Sequence, residues 1–313
     1  MLGLGLSLTT GGVITPYYVV VANAFRDRVE ADGGTVESMS CLKADLKVLT
    51  GELAPDLLLN DYDGAAAAYS LRLLDKSYSG SAVRVRRASD NAEQDIAFSN
   101  NELDTATLET FASGTDAFVT TWYDQSGNGN DAAQGTASSQ PKIVSSGSTI
   151  LENGKAAVEF DGSGDELILG SSLGDVESTT FLTMKSFNTA ESIPYARGQY
   201  YTITMNPSVN SFEFRDFVNN AFQSADATAL SQFVSSLYRG ANSASLQIAI
   251  DGTIQSDTGD NGRVSFGSGS IGSGSGIWHW NGRVQEIIEY NSNESTNRTG
   301  IETNINDYYS IYP

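Results

Sequence analysis

The sequence predicts a mainly β protein built as a two-sheet sandwich, with a small helical region ahead of it. Three observations lead there. About ten short strand-like segments follow one another from Gly64 onward, without the βα alternation of a parallel sheet. Turn-forming residues punctuate them, with 31 glycines and frequent Ser, Thr and Asn. Between Leu246-Gln247-Ile248-Ala249-Ile250 and Thr253-Ile254 stands Asp251-Gly252, a dipeptide that closes two-residue hairpins.

In chain order, residues 1–21 read as an extended apolar arm ending in Tyr17-Tyr18-Val19-Val20-Val21. Residues 22–60 read as a helical hairpin. Ala22, Phe25 and Val29 share one helical face that Gly33-Gly34 ends, and Ser38 caps a second helix carrying Cys41, Leu42, Leu46 and Leu49. Such a hairpin buries too little to stand alone, so residues 1–63 read as a docking region and 64–313 as the sandwich. Expected strands are Ala82–Ala88, Ala117–Tyr123, Ala156–Phe160, Thr179–Phe187, Tyr200–Met205, Ser211–Asp216, Gln232–Arg239, Ser245–Ile250, Arg263–Phe266 and Arg283–Tyr290. Asp104 is placed to cap a short helix carrying Leu108 and Phe111. Ile301, Ile305 and Tyr308 predict a closing helix over Ser295 to Tyr308.

Composition removes several function classes. With 38 acidic and 18 basic residues the formal charge is −20, a surface that repels nucleic acid rather than displacing its counterions. In Val83-Arg84-Val85-Arg86 alternation sends the valines inward and the arginines to a solvated face. Cys41 is the sole cysteine, which excludes an intrachain disulfide or a thiolate cluster. His279 is the sole histidine, which excludes a multi-histidine metal site. The start Met1-Leu2-Gly3-Leu4-Gly5-Leu6 lacks the basic flank of a secretory signal. No stretch has the length of a membrane-spanning helix, so no membrane insertion is expected.

From Ala68-Tyr69-Ser70-Leu71-Arg72-Leu73-Leu74, through Tyr78-Ser79-Gly80 and Val83–Asp90, to Thr121-Trp122-Tyr123-Asp124-Gln125-Ser126-Gly127-Asn128-Gly129, the chain resembles the catalytic domain of the α-L-arabinofuranosidase B family. That resemblance implies a concanavalin-like, jelly-roll sandwich. Phe160-Asp161-Gly162 and Asn281–Tyr290 are also similar to laminin-G-like domains. The same segments, with a helical leader like Phe25–Thr35, resemble virion structural proteins of tailed phages. The family's nucleophilic glutamate is implied to follow a disulfide-linked Cys-Cys segment, which this chain lacks. Its acid/base aspartate is implied shortly before the final Gly-containing strand, where Gly276–Asn281 holds no carboxylate. The family chemistry is therefore expected to be absent, and the chain is expected not to be an enzyme.

Other candidates follow from the residues. Glu159 and Asp161 alternate onto one face, but Gly162-Ser163-Gly164 ends the strand before a third carboxylate. Glu286 and Glu289, three apart, point to opposite faces. Asp124, Ser126, Asn128 and Asn130 place oxygen side chains at alternate positions around glycines, the opening of a calcium loop, although Gly135 stands where a bidentate acid belongs. An Asx-turn loop is the stronger reading. Trp278, Trp280 and Asn281 offer paired indoles and an amide for a glycan, against the reading that the tryptophans fill the core. Asp257 and Asp260 are the remaining acid candidates.

Together these lead to an expectation of a virion protein on the surface of a tail or capsid, as tail fibre or decoration. Residues 1–60 would dock on other virion proteins, and a homo-oligomer would display a sandwich that binds a host-surface glycan for attachment. The alternative is a glycoside hydrolase of arabinofuranosidase type.

Overall fold

A computed structural model describes residues 57–171, 173, 177–187, 192–197, 201–206, 211–216, 221–226, 231–239, 246–258, 269–274 and 278–313. The apolar arm, the helical hairpin with Cys41, the expected strand Arg263–Phe266 and Asp260 lie outside them. The chain divides into two compact units, Met1–Asp56 and Leu57–Pro313, and the second holds all of the described residues.

That unit is mainly β. A short helix α1 (Leu58–Asp61) leads into β1 (Ala65–Ser70), β2 (Val83–Arg87) and β3 (Glu93–Ile96). Helix α2 (Thr105–Phe111) precedes β4 (Ala117–Trp122), β5 (Lys142–Ser145), β6 (Val158–Asp161) and β7 (Leu167–Leu169). Then come β8 (Ser178–Ser186), β9 (Ser192–Ala196), β10 (Tyr201–Asn206), β11 (Ser211–Asp216), β12 (Ala221–Asp226) and β13 (Gln232–Arg239). The chain closes with β14 (Leu246–Ile250), β15 (Thr253–Thr258), β16 (Ser270–Ile271), β17 (Asn281–Tyr290) and α3 (Arg298–Tyr309). One sheet run is β15-β14-β13-β8-β17, with β1 and β6 sharing the far edge of β17. The other joins β7, β16, β9, β10, β11 and β12. Strands β2 to β5, together with the short segment Ala132–Ala133 that pairs β4 and β7, bridge the two, and all these pairings are antiparallel.

Local sequence explains the regular parts. Val83 and Val85 are fully buried. Arg84 turns outward to Glu93 and Asp95 at 2.8 and 3.1 Å, so the arginines form the solvated face expected. Asp104 caps α2 by accepting from the Thr107 N–H at 3.0 Å. Asp251 and Gly252 have φ of 48° and 78°, the left-handed pair a two-residue hairpin needs, and they join β14 to β15. β1 was missed among the expected strands. Its run Ala65-Ala66-Ala67-Ala68 lacks the polar alternation of a half-buried strand, because both of its faces are covered.

Two apolar layers result. The main core lies between the sheets and gathers Val83, Val119, Phe160, Leu182, Met184, Ile271, Trp280 and Ile287. A second layer lies outside β17, where α3 seats Ile301, Ile305 and Tyr309 on Ala68, Phe181, Val234 and Ile288. Each such aliphatic side chain contributes about 1.5–3 kcal/mol. Between the layers β17 carries a bulge. Glu286 pairs with Thr183 but Val284 pairs with Met184, which leaves Gln285 without a partner on β8. The extra residue inverts parity, so Glu286, Ile288 and Tyr290 face α3 while Val284 faces the core.

Glu286 and Glu289 do point to opposite faces. Glu286 meets Arg72 at 2.8 Å on the α3 side, whereas Glu289 pairs at 3.2 Å with Arg197 in the interior. Burial pushes the Glu289 carboxyl up, against the pull of Arg197. Truncating Glu286 to Ala would strand the Arg72 guanidinium without its counter-charge. Denaturant unfolding should register a loss of about 3–5 kcal/mol.

Candidate active site

The bulge leaves the first half of β17 outside the cover of α3, and a polar row runs across that open face. β6, β17 and β8 lie side by side, pairing Asp161 with Asn281 and Glu159 with Arg283, which pairs in turn with Lys185. The Phe187 N–H continues the ladder to the Asn281 carbonyl at 2.9 Å. Arg283 bridges Glu159 and Glu152 at 2.9 and 3.0 Å, and Lys185 reaches Glu152 at 2.9 Å.

Asp161 opens a tight turn, Asp161-Gly162-Ser163-Gly164-Asp165, that returns the chain into β7. Gly162 takes φ of 79° directly beside Asn281, where an added Cβ would come within 2.7 Å of the Asn281 Cβ. The Asp161 carboxylate accepts from the Ser163 N–H at 2.8 Å and from the Ser163 hydroxyl at 2.7 Å. Its own N–H donates to Asp165 Oδ2 at 3.0 Å. Next to it, Glu166 accepts from the Ser273 hydroxyl at 2.5 Å. Gly272 packs against Phe160 and carries the Trp280 N–H on its carbonyl, so β16 and the entry to β17 close around the turn.

The two aspartates are driven apart electrostatically. Burial pushes the Asp165 carboxyl up to about 7, the charge of Asp161 adding to it, with Lys142 opposing. Burial acts on Asp161 in the same direction, but hydrogen bonds from Ser163 prevail and hold it below the ordinary carboxylate range. Near neutrality a substantial fraction of Asp165 is still protonated while its neighbour is charged. This is the division of labour by which paired carboxyl groups act as proton donor and anion.

The sequence-predicted residues fall in different places. Trp280 is fully buried in the core and Trp278 is 42 % exposed, so the paired indoles do not form. The alternation that would align them breaks at Trp278, whose φ of 52° is not a strand conformation. Asn281 sits beside the aspartate pair. In the calcium-like loop, the Asp124 carboxylate accepts from Ala68 N, Ser126 N, Ser126 Oγ and Asn130 N at 2.7 to 3.0 Å. Asn128 and Asn130 direct their amide N–H groups to Ala65 and Ala66 carbonyls. The loop thus latches β1 through Asx-type bonds, with the carboxylate lone pairs already engaged. Among the described residues no group of three or more His, Cys, Asp and Glu is placed to hold a metal ion. Asp257 lies in β15 opposite Gln247, away from this face. Asp165 was missed. The glycine turn, which argued against Glu159-Phe160-Asp161, is what folds Asp165 back beside Asp161. Its place just ahead of Leu167-Ile168-Leu169 was the available sign of burial.

Comparison with known proteins supplies the context. Residues 60–164, about a third of the chain, match the family model described as α-L-arabinofuranosidase B, catalytic. A solved arabinofuranosidase complexed with arabinofuranosyl-α-1,2-xylobiose is 19 % identical with a TM-score of 0.62, covering 81 % of this chain and 64 % of that one. An α-L-arabinofuranosidase soaked with a cyclic sulfate inhibitor is 18 % identical with the same TM-score, covering 81 % and 65 %. This chain therefore spans less than two thirds of their length. No curated protein matches. The likeness establishes a jelly-roll-like sandwich similar to that catalytic domain. It also overturns the expectation of a non-enzymatic virion protein, tail fibre or capsid decoration, because what the chain resembles is a hydrolase domain and nothing found supports a phage origin. The segments Ala68–Leu74 and Thr121–Gly129, read as shared with virion proteins, lie within the matched stretch. The leader that favoured phage lies outside the described residues.

The raised Asp165 gives a stability signature. Between about pH 4 and pH 7 the unfolded chain releases this proton and the folded chain keeps it, so stability falls as pH rises through that window. In Asp165→Asn that contribution should disappear, flattening the unfolding midpoint against pH across the same window.

Proposed function

We propose that the chain is a glycoside hydrolase that releases arabinofuranosyl groups from a polysaccharide. In this reading Asp165 is the proton donor and Asp161 its charged partner. The observation that carries it is the turn beside Asn281 in which the Asp161 N–H meets Asp165 Oδ2 at 3.0 Å and Ser163 holds the Asp161 carboxylate, with burial favouring the protonated form of Asp165. The match to an arabinofuranosidase catalytic model, which runs through Asp161, and the sandwich shared with arabinofuranosidases support the substrate class.

Hydrolysis breaks the bond from the anomeric carbon to the leaving oxygen. Asp165 gives its proton to that oxygen, and Asp161 stabilises the positive charge developing on the sugar. Water then supplies the hydroxyl at the anomeric carbon, and its remaining proton restores Asp165. Asn281, beside Asp161, can bond a ring hydroxyl. The stretch Gly276–Asn281, where the resemblance implies the family's acid, holds no carboxylate, and β6 sets Asp161 beside Asn281 from another part of the chain.

Purified chain assayed on aryl α-L-arabinofuranosides and on arabinoxylan should release arabinose. Asp165→Asn and Asp161→Asn should each lower kcat/KM by roughly 10²–10⁴-fold. The wild-type rate should fall as pH rises through about 7, where Asp165 loses its proton. Turnover that survives both substitutions would refute the assignment, as would the absence of arabinose release.

A further inference from the structure

Among the described residues five large apolar side chains are exposed, and two of them, Phe187 and Leu151, border the same arginine on the open sheet face. Phe187 is 37 % exposed and follows β8 at the position where its N–H meets Asn281, so it stands across Asn281 from Asp161. Its ring is steadied from the sheet. The Arg283 guanidinium carbon lies 5.0 Å and the Lys185 Nζ 6.0 Å from the ring centroid. Arg283 also donates to the Leu151 carbonyl at 2.8 Å, and Leu151 itself is 49 % exposed. Two exposed apolar side chains, Phe187 and Leu151, thus stand on either side of the charge-paired Arg283 on this face.

The charge around these side chains is already balanced. Arg283 is held by Glu159 and Glu152, and Lys185 by Glu152, so neither cation is available to a carboxylated or sulfated sugar. What remains for a ligand is an apolar ring face edged by fixed polar groups, the surface that accepts the C–H face of an uncharged pyranose.

We infer that Phe187 is the floor of a backbone subsite, binding a neutral sugar of the main chain while its arabinofuranosyl branch reaches the turn that carries Asp161 and Asp165. This rests on the proposed hydrolase reading, but its binding test needs no turnover. Phe187 would then be a specificity-determining residue that favours polymeric over small substrates.

The test is retardation of the full-length chain in native gels containing soluble arabinoxylan, with polygalacturonate as the anionic control. Wild-type chain and Phe187→Trp should be retarded by arabinoxylan and not by polygalacturonate. Phe187→Ala should lose at least tenfold in affinity while keeping its unfolding midpoint. On arabinoxylan the same Phe187→Ala change should raise KM about tenfold and lower kcat far less. Equal retardation of wild type and Phe187→Ala would overturn the subsite even where arabinose release stands. So would a wild-type chain that no arabinoxylan retards, or one retarded more by polygalacturonate. Retardation that depends on Phe187 in a chain that releases no arabinose would leave the subsite standing and sink the hydrolase reading alone.

Discussion

The architecture turns on one extra residue in one strand. β17 is paired along both edges, to β8 on one side and to β1 and β6 on the other, so its side chains have nowhere to go but the two faces. A regular strand would keep Val284 on the same face as Glu286 and Ile288. The bulge at Gln285 breaks that rule, turning Val284 into the core. Gln285 is held by its own amide, which donates to the carbonyls of Glu152, Lys155 and Ala156 at 3.1 to 3.2 Å. One half of the outer face can then be apolar and take a helix. The other half can be polar and remain open.

That division explains where buried charge is tolerated. Under α3 the Arg72 guanidinium is gripped by both oxygens of Glu286, with the Tyr308 ring 4.7 Å away, so its desolvation is offset by bonds from several sides. Inside the sandwich Arg197 and Glu289 are both wholly buried, and Thr180 adds a hydroxyl to the carboxylate at 2.5 Å. Asp165 differs from both, since burial and the Asp161 charge outweigh the Asp161 N–H and Lys142 that favour its anion. A group in that position answers burial by keeping its proton. The same circumstance that makes it a poor structural anchor fits it to donate a proton.

Much of the fold was legible in the sequence. Val83-Arg84-Val85-Arg86, Asp251-Gly252 and the Asp104 cap each announce their element through local chemistry, and the structure places them as expected. β1 was hidden because burial on both faces erases alternation, and β7 because three residues are too few to display it. The site was less legible. Alternation forecast that Glu159 and Asp161 share a face, but nothing local reveals that a glycine turn returns Asp165 to the same spot, or that Asn281 and Phe187 arrive from strands 120 and 26 residues further on. Trp278 and Trp280 misled for a related reason. A two-residue spacing implies one face only while the backbone is extended, and Trp278 is not.

The mechanism depends on Asp165 remaining partly protonated at neutrality beside a charged Asp161. The most direct measurement is a carboxyl-carbon NMR titration of uniformly labelled full-length chain, with Asp165→Asn used to assign the signal. One aspartate should titrate with a midpoint near 7 and be missing from the variant, while Asp161 titrates below the ordinary range. A midpoint near 4 for Asp165 would leave the turn without a proton donor and contradict the mechanism built on it.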